Sequence, residues 1–253
     1  MNALSTQVAA RTTRQIEKNS ATHSVVRELF SSRRLLAFVL ALFCCAAPAL
    51  PRQAEHPLTG RKIAPVMGLG GADWLERSDR ESEEAPEAAL TAIGVAKGMI
   101  VADVGAGVGY ITVRIARRVG PDGKVYATDI QPEMLARVRE RAGREKLSNI
   151  QTVLGTEADP KLPAGKMDLI LLVDVYHEFS QPQKMLDRLR ESLKPDGRLV
   201  LLEYRKEDPT IPIRPEHKMS VAEAKIEVEA EGYRLAQTIE TLPRQHILIF
   251  RRK

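Results

Sequence analysis

Three glycines at alternate positions, Gly105, Gly107 and Gly109, separate a short apolar run from a helical pattern. Glycine has no Cβ and adopts positive φ easily, so such a turn lets a ligand approach the backbone closely. Asp103 stands just before the turn and suits a ligand that carries a cationic amino group. These residues predict a binding site for a charged small molecule where a strand passes into a helix.

Asp129 ends the next β-rich run, about twenty residues after the glycine turn, the spacing at which an acid meets a ribose in related sheets. A carboxylate at the end of a strand can accept hydrogen bonds from both ribose hydroxyls. The alternative is a helix N-cap, where aspartate is also favoured. With the glycine turn upstream, the ribose role is the stronger interpretation.

Tyr176, His177 and Glu178 follow a fourth strand, at the carboxyl edge where open α/β sheets bind ligands. The pKa range of histidine suits His177 to accept a proton from an attacking O–H or N–H group. The alternative is a packing residue that borders the ligand. Arg61, Arg214 and His217 are further candidates for holding an anionic substrate, and a proline-rich segment, 207–215, is a candidate lid.

From residue 85 onward, β-rich runs alternate with helical patterns, which predicts an α/β fold with a mostly parallel sheet. The last two of the seven runs are too close for a crossover helix, so they form an antiparallel C-terminal hairpin. The predicted strands are 99–104, 124–129, 150–154, 168–173, 198–204, 233–241 and 245–251.

Local signals mark where the helices between these strands begin. Pro132 suits the first turn of one helix, where a missing N–H costs nothing. Ser180 with Gln183, and Ser220 with Glu223, have the spacing of capping boxes for two later helices.

The charge and cysteine content exclude several function classes. The net charge is +5, but residues 1–49 hold six basic and two acidic residues, so the remainder is nearly neutral and nucleic acid is not a predicted partner. Aromatic residues make up 4% of the chain, which disfavours a stacking platform for single strands. Cys44 and Cys45 both lie in the leader, so the body has no thiol chemistry, and no metal site is predicted.

Residues 1–49 have the order of a secretory signal: a polar region, a short apolar run, and small residues that place cleavage after Ala49. Residues 32–36 are similar to a twin-arginine export signal. The apolar run is too short for a stable membrane span. We expect an exported, periplasmic protein, and the alternative is an uncleaved extension on a cytoplasmic one. Residues 50–84, with Trp74, are predicted to cap the ligand site of a domain at 85–253.

Residues 101–110 resemble motif I of the class I S-adenosylmethionine-dependent methyltransferases. The resemblance continues through Asp129, residues 168–175 and residues 193–197, and covers residues 85–253. It implies a Rossmann-like sheet with helices on both faces, S-adenosylmethionine as cofactor, and methyl transfer to an oxygen, nitrogen or carbon of a small molecule. It implies two catalytic residues, His177 and Tyr176, and ten cofactor-binding residues: Asp103, Gly105, Ala106, Gly107, Gly109, Asp129, Ile130, Glu157, Asp159 and Asp174. Glu157 and Asp159 are alternatives for contact with the adenine.

Two other functions compete with this interpretation. One is a module that binds S-adenosylmethionine without transferring its methyl group. The other is a dinucleotide-dependent oxidoreductase, which the motif disfavours because its third glycine position holds Tyr110. Methylation of nucleic-acid bases is disfavoured because the Asn/Asp-Pro-Pro-Tyr/Phe motif of those enzymes is missing after the fourth strand. The acceptor atom and the oligomeric state are left open.

Overall fold

A seven-stranded sheet runs through residues 54–253, the part of the chain that the computed structural model describes. Strands β1 to β5 are parallel to one another, while β7 is antiparallel to both β5 and β6. The strand order is β3-β2-β1-β4-β5-β7-β6. The strands are β1 (Ile100–Val104), β2 (Lys124–Asp129), β3 (Ile150–Leu154), β4 (Met167–Val173), β5 (Leu193–Tyr204), β6 (Tyr233–Ile239) and β7 (Gln245–Arg252). The predicted α/β fold with its antiparallel C-terminal pair is confirmed.

Helices cover both faces of this sheet, as predicted. Buried residues of α2 and α3 pack on one face, and buried residues of α5 and α6 pack on the other. The helices are α1 (Arg80–Glu84), α2 (Pro86–Ile93), α3 (Tyr110–Val119), α4 (Pro132–Arg144), α5 (Pro182–Ser192) and α6 (Val221–Ala230).

The central strands are apolar at successive positions because both of their faces are covered. Ala102 and Ile170 point toward α5 and α6, whereas Val101 and Leu169 point toward α2 and α3. All four are fully buried. Parallel strands enclosed on both sides read as unbroken apolar runs rather than as alternating patterns.

Two of the three helix starts that were predicted from local sequence signals are confirmed. Pro132 opens α4, and Ser220 caps α6 through a reciprocal box in which each partner accepts a backbone N–H of the other at 3.1 Å. The capping box predicted at Ser180 is wrong. Among the described residues α5 has no side-chain cap, because Pro182, with its fixed φ, occupies the first turn and moves the start of the helix past Ser180.

The predicted leader, 1–49, lies outside the described residues. Within residues 54–253, none of the helices has the length and apolar character needed to cross a membrane. The described part of the predicted cap, 54–84, contacts the domain at several points.

The cap is attached to α6 through a buried cluster around Glu227, which is fully buried. Glu227 accepts hydrogen bonds from Nε and Nη2 of Arg61 at 3.1 and 3.0 Å and from Oγ1 of Thr59 at 2.5 Å, and it lies 3.5 Å from Nε2 of His56. Arg61 also donates to the carbonyl oxygen of His177 at 3.1 Å. The hydrogen bonds of the Arg61 guanidinium are therefore used within the protein. The prediction from sequence that Arg61 contacts an anionic substrate is wrong.

Replacing Glu227 tests this attachment. Glu227→Ala leaves Arg61 and His56 buried without their acid, so we expect the free energy of unfolding to fall by about 3–5 kcal/mol. Urea unfolding followed by circular dichroism measures it. Lys225→Ala, an exposed change in the same helix, is the control and should stay within about 0.5 kcal/mol of the parent. Equal losses in the two variants would contradict the assignment.

Candidate functional site

A cavity of about 390 Å³ opens at the carboxyl edge of the sheet. Val104, Asp129, Val173 and Tyr204 contribute to its wall from the ends of β1, β2, β4 and β5. Ligands of open α/β sheets bind at this edge, and the volume lies within the range of sites for metabolite-sized ligands. The cavity is therefore the candidate functional site.

The cavity wall takes in most, but not all, of the predicted site residues. Those that line it are Gly105, Gly107, Asp129, Ile130, Glu157, Asp174 and His177. Those that the structure places outside the lining are Asp103, Ala106, Gly109, Asp159 and Tyr176.

The turn between β1 and α3 needs glycine for steric and conformational reasons. Gly105 has φ +71°, and a Cβ added there would lie 2.2 Å from Cγ2 of Val175. Gly107 has φ +52° and donates its backbone N–H to Oδ2 of Asp129 at 2.9 Å. Because neither residue carries a side chain, the backbone itself forms this wall of the cavity.

Asp129 is held in place by two backbone N–H groups. Its Oδ2 accepts from Gly107, and its Oδ1 accepts from Gln131 at 2.9 Å. Burial raises the pKa of Asp129, although these two hydrogen bonds act in the opposite direction. The N-cap of α4 is Gln131, not Asp129. Each carboxylate oxygen keeps a lone pair for a further donor, so the predicted contact with a ribose would not have to displace either hydrogen bond.

Asp103 lies beneath the turn rather than in the cavity wall. Its side chain is buried, accepts a hydrogen bond from Oγ1 of Thr112 at 2.5 Å, and has its pKa raised by burial to about 6. Direct contact between Asp103 and a cofactor remains a prediction, and in this structure the carboxylate supports the start of α3.

The geometry distinguishes the two acids after β3. Glu157 lines the cavity and accepts a hydrogen bond from Oγ of Ser180 at 2.8 Å. Asp159 turns away and binds the backbone N–H and the ammonium of Lys161, both at 2.8 Å. Of the two, Glu157 is the one placed to meet a ligand in the cavity.

Asp174 combines unusual backbone geometry with an unpaired oxygen. Its φ is +53°, and Oδ2 accepts from Nε2 of Gln245 at 2.7 Å. Within the described part of the chain, the buried Oδ1 has no hydrogen-bond partner. Burial, and then the neighbouring Glu84 and Glu203, raise its pKa well above the usual range. Such a side chain in a cavity wall is suited to a ligand that brings a donor or a positive charge.

His177 belongs to a continuous hydrogen-bonded network at the same edge. Its Nδ1 lies 2.6 Å from Oε2 of Glu203, and its Nε2 lies 3.2 Å from Nδ1 of His217. Nη2 of Arg214 lies 3.0 Å from Nε2 of His217. Burial alone would lower the pKa of His177, but the charge and hydrogen bond of Glu203 outweigh burial and raise it.

The donor order in this network follows from Arg214, which can only donate. With both imidazoles neutral, Nε2 of His217 accepts from Arg214, so its Nδ1 carries the proton and donates to Nε2 of His177. Nδ1–H of His177 then donates to Glu203. The nitrogen of His177 that faces His217 is thus an acceptor already in use.

Glu203 is the functional residue that the sequence analysis missed. It is fully buried in β5, accepts the backbone N–H of Tyr176 through Oε1 at 3.0 Å, and holds His177 through Oε2. The available signal was an acid that ends an otherwise apolar strand, since a buried carboxylate requires partners. Tyr176, a predicted catalytic residue, is fully buried in the turn that Glu203 fixes.

Residues of the cap close the outer side of the cavity. Val66, Met67 and Trp74 line it, and the Arg77 guanidinium carbon stands 3.9 Å from the centroid of the Trp74 ring. Ile213, in the loop after β5, lines the wall as well. The cavity therefore has polar groups along the sheet edge and apolar groups on its outer side.

Comparison with known proteins gives consistent results. Residues 96–243 match the family model described as methyltransferase domain. The chain is 34% identical over 168 residues to ubiquinone/menaquinone biosynthesis C-methyltransferase UbiE of Pasteurella multocida (strain Pm70), covering 61% of this chain and 60% of that protein. It is 35% identical over 120 residues to UbiE of Escherichia fergusonii, covering 45% of each chain.

A solved structure shares the fold over a longer stretch. The SAM-dependent methyltransferase from Aquifex aeolicus superposes with a TM-score of 0.69 and 29% identity, covering 73% of this chain and 98% of that one. By contrast, this chain spans only 60% and 45% of the length of the two curated relatives.

Asp129 gives a direct test of the site. Charge-assisted hydrogen bonds to a ribose are worth roughly 1.5–3 kcal/mol, so Asp129→Ala should weaken S-adenosylmethionine binding by about ten- to a hundredfold. Isothermal titration calorimetry measures it, with the exposed Asp122→Ala as the control that keeps the parental affinity. An Asp129→Ala protein with lowered thermal stability and unchanged affinity would assign the carboxylate to the fold alone.

Proposed function

Because the chain belongs to the class I S-adenosylmethionine-dependent methyltransferases, we propose that it transfers a methyl group to an oxygen, nitrogen or carbon nucleophile of a small molecule. The observation that carries the proposal is the cavity at the carboxyl edge of the sheet. It joins the glycine turn, Asp129 and the unpaired oxygen of Asp174 in one wall.

The residues present fit S-adenosylmethionine. Asp129 would hold the ribose and Glu157 would face the adenine. The orphaned oxygen of Asp174 would receive the cationic end of the ligand, which relieves the cost of a buried unpaired acid. At Gly105 and Gly107 a positive φ and the close approach of Val175 and Leu75 exclude a side chain, so the backbone itself would face the ligand. When bound, the cofactor supplies a methyl group already activated on a sulfonium centre.

Most of the acceleration in such a reaction can come from positioning and from excluding water. Met67 and Trp74 of the cap, together with Ile213, place apolar groups over the cavity. We propose that they hold the acceptor against the sheet edge and keep solvent out. The two curated relatives are named for ubiquinone and menaquinone biosynthesis, and for this chain the acceptor is proposed only as a small molecule with an apolar part.

His177 is the residue we propose to activate the acceptor. It lines the cavity, Glu203 fixes its ring through Nδ1, and the acceptor would replace His217 as the donor to Nε2. His177→Gln should lower turnover by about 10²–10⁴-fold, the range for loss of a group that handles a proton, and leave S-adenosylmethionine affinity in the micromolar range. Transfer of a labelled methyl group to extracted metabolites measures turnover, and calorimetry measures binding.

Two outcomes of these measurements would contradict the proposal. S-adenosylmethionine binding without transfer to any metabolite would indicate a binding module. Tight NAD binding with no response to the methyl donor would indicate an oxidoreductase.

We further propose that residues 1–49 are a removable export signal and that the mature protein is periplasmic. The order of polar, apolar and small residues supports it. The methyl donor is made in the cytoplasm, so a route that exports folded, loaded protein fits best. Mass spectrometry of the mature N-terminus from the native host should find a chain that begins at Leu50. An intact N-terminus in the cytoplasmic fraction would contradict the proposal.

A further inference from the structure

Two imidazoles and a carboxylate converge in the cavity wall beside the turn that follows β4. His177 Nε2, His217 Nδ1 and a carboxylate oxygen of Glu178 all lie within 4.8 Å of one another. All three residues line the cavity. We propose that this cluster, the 177–178–217 site, binds a divalent transition-metal ion.

The spacing of the nitrogens supports this assignment. Two imidazole nitrogens on a tetrahedral zinc ion, each at roughly 2.0–2.1 Å, are about 3.3–3.4 Å apart. Nε2 of His177 and Nδ1 of His217 are 3.2 Å apart, so neither ring has to move far. A carboxylate oxygen of Glu178 lies within 4.8 Å of both nitrogens and can supply the third ligand. Two nitrogens and one oxygen favour zinc, cobalt or iron over magnesium or calcium, which prefer oxygen ligands.

Glu203 supplies the outer contact that metal-binding histidines normally have. A histidine ligand usually donates its second ring N–H to a carboxylate or carbonyl, which fixes the tautomer and the ring orientation. Nδ1 of His177 lies 2.6 Å from Oε2 of Glu203, and both side chains are buried. The ring of His177 is thus held with Nε2 directed toward the cluster before any ion arrives.

Metal binding would displace two hydrogen bonds of His217, the one to His177 and the one from Arg214. An ion on Nδ1 of His217 requires the proton on Nε2, which then no longer accepts from Arg214. The side chain of Arg214 is 70% exposed, so it can swing into solvent. The hydrogen-bonded arrangement of Arg214, His217 and His177 is then the metal-free form of the site.

A chemical role for the ion follows if the proposed function holds, since the role rests on it. In the metal-free network Nε2 of His177 accepts from His217, so the acceptor must displace His217 before it can give a proton to that nitrogen. A bound ion would activate the acceptor without that displacement. Three protein ligands leave a four-coordinate ion one open position. A hydroxyl group of the acceptor bound there would ionise more easily, with its proton passing to water, and would become the stronger nucleophile. The site would then select acceptors with an ionisable oxygen.

Cobalt titration of the full chain tests the site. After treatment with a chelator, Co²⁺ alone should bind one ion per chain and give the visible d–d bands of a tetrahedral nitrogen and oxygen environment. His217→Ala should weaken binding by more than about tenfold, and Glu203→Gln by about 10–100-fold, as is usual for an outer partner. Glu133→Ala, an exposed acid of α4 outside the cavity lining, should bind as the parent does, and Arg214→Gln should bind equally or more tightly.

The outcomes separate this proposal from the proposed function. Calorimetry with S-adenosylmethionine shows that each variant is folded and keeps its cofactor site. An absent d–d spectrum, or cobalt affinity unchanged in a His217→Ala protein that still binds S-adenosylmethionine, overturns the metal site and leaves the methyltransferase assignment standing. A one-to-one cobalt complex in a chain that transfers no methyl group would overturn the proposed function and leave the metal site.

Discussion

The geometry of the whole site depends on a single buried carboxylate, that of Glu203. It lies at the end of β5 and reaches across to the turn after β4, where it accepts the backbone N–H of Tyr176 and the ring of His177. A buried acid is stable only when its oxygens have donors, and this turn supplies both of them. The strand and the turn therefore fix each other, and the ring of His177 has one orientation.

A second consequence of burial is the acid-rich wall around Asp174. Glu84 approaches it from α1. Glu84 forms ion pairs with Arg77 and Arg80 at 2.7 Å and accepts a hydrogen bond from the hydroxyl of Tyr204 at 2.8 Å. Among the described residues Asp174 forms no ion pair within 4 Å, and its Oδ1 has no hydrogen-bond partner. A cationic ligand would supply the missing charge, so binding and folding stability should be coupled at this point.

The cap adds a second wall to the cavity at the sheet edge. Arg61 binds Glu227 on α6 and the carbonyl of His177, so one guanidinium joins the cap, a helix and the turn that carries His177. The backbone N–H of Ala64 donates to the same carbonyl at 3.0 Å. The cap residues that line the cavity are thus held against the same turn that Glu203 fixes from β5.

The sequence by itself determined the succession of strands and helices along the chain, the antiparallel pair at the end of the sheet and the glycine turn. These features follow from interactions between residues that are near neighbours in the chain. Pro132 and the Ser220 box set helix starts within a few residues, and Gly105 is required by the φ of its own backbone. At the start of α5 the capping signal of Ser180 competed with Pro182. The helix begins at the proline because the φ angle of proline is fixed.

Only the tertiary structure decided which polar side chains share a site, because their partners are distant in the chain. The sequence around Arg61 indicates no partner for its side chain, because that partner, Glu227, lies 166 residues away. The ring of His177 is oriented by Glu203, 26 residues further on, and its neighbouring imidazole is that of His217, 40 residues further on. Patterns of residue type carry no information about such pairings, because a buried charge finds its partner only once the sheet and both helical layers are assembled.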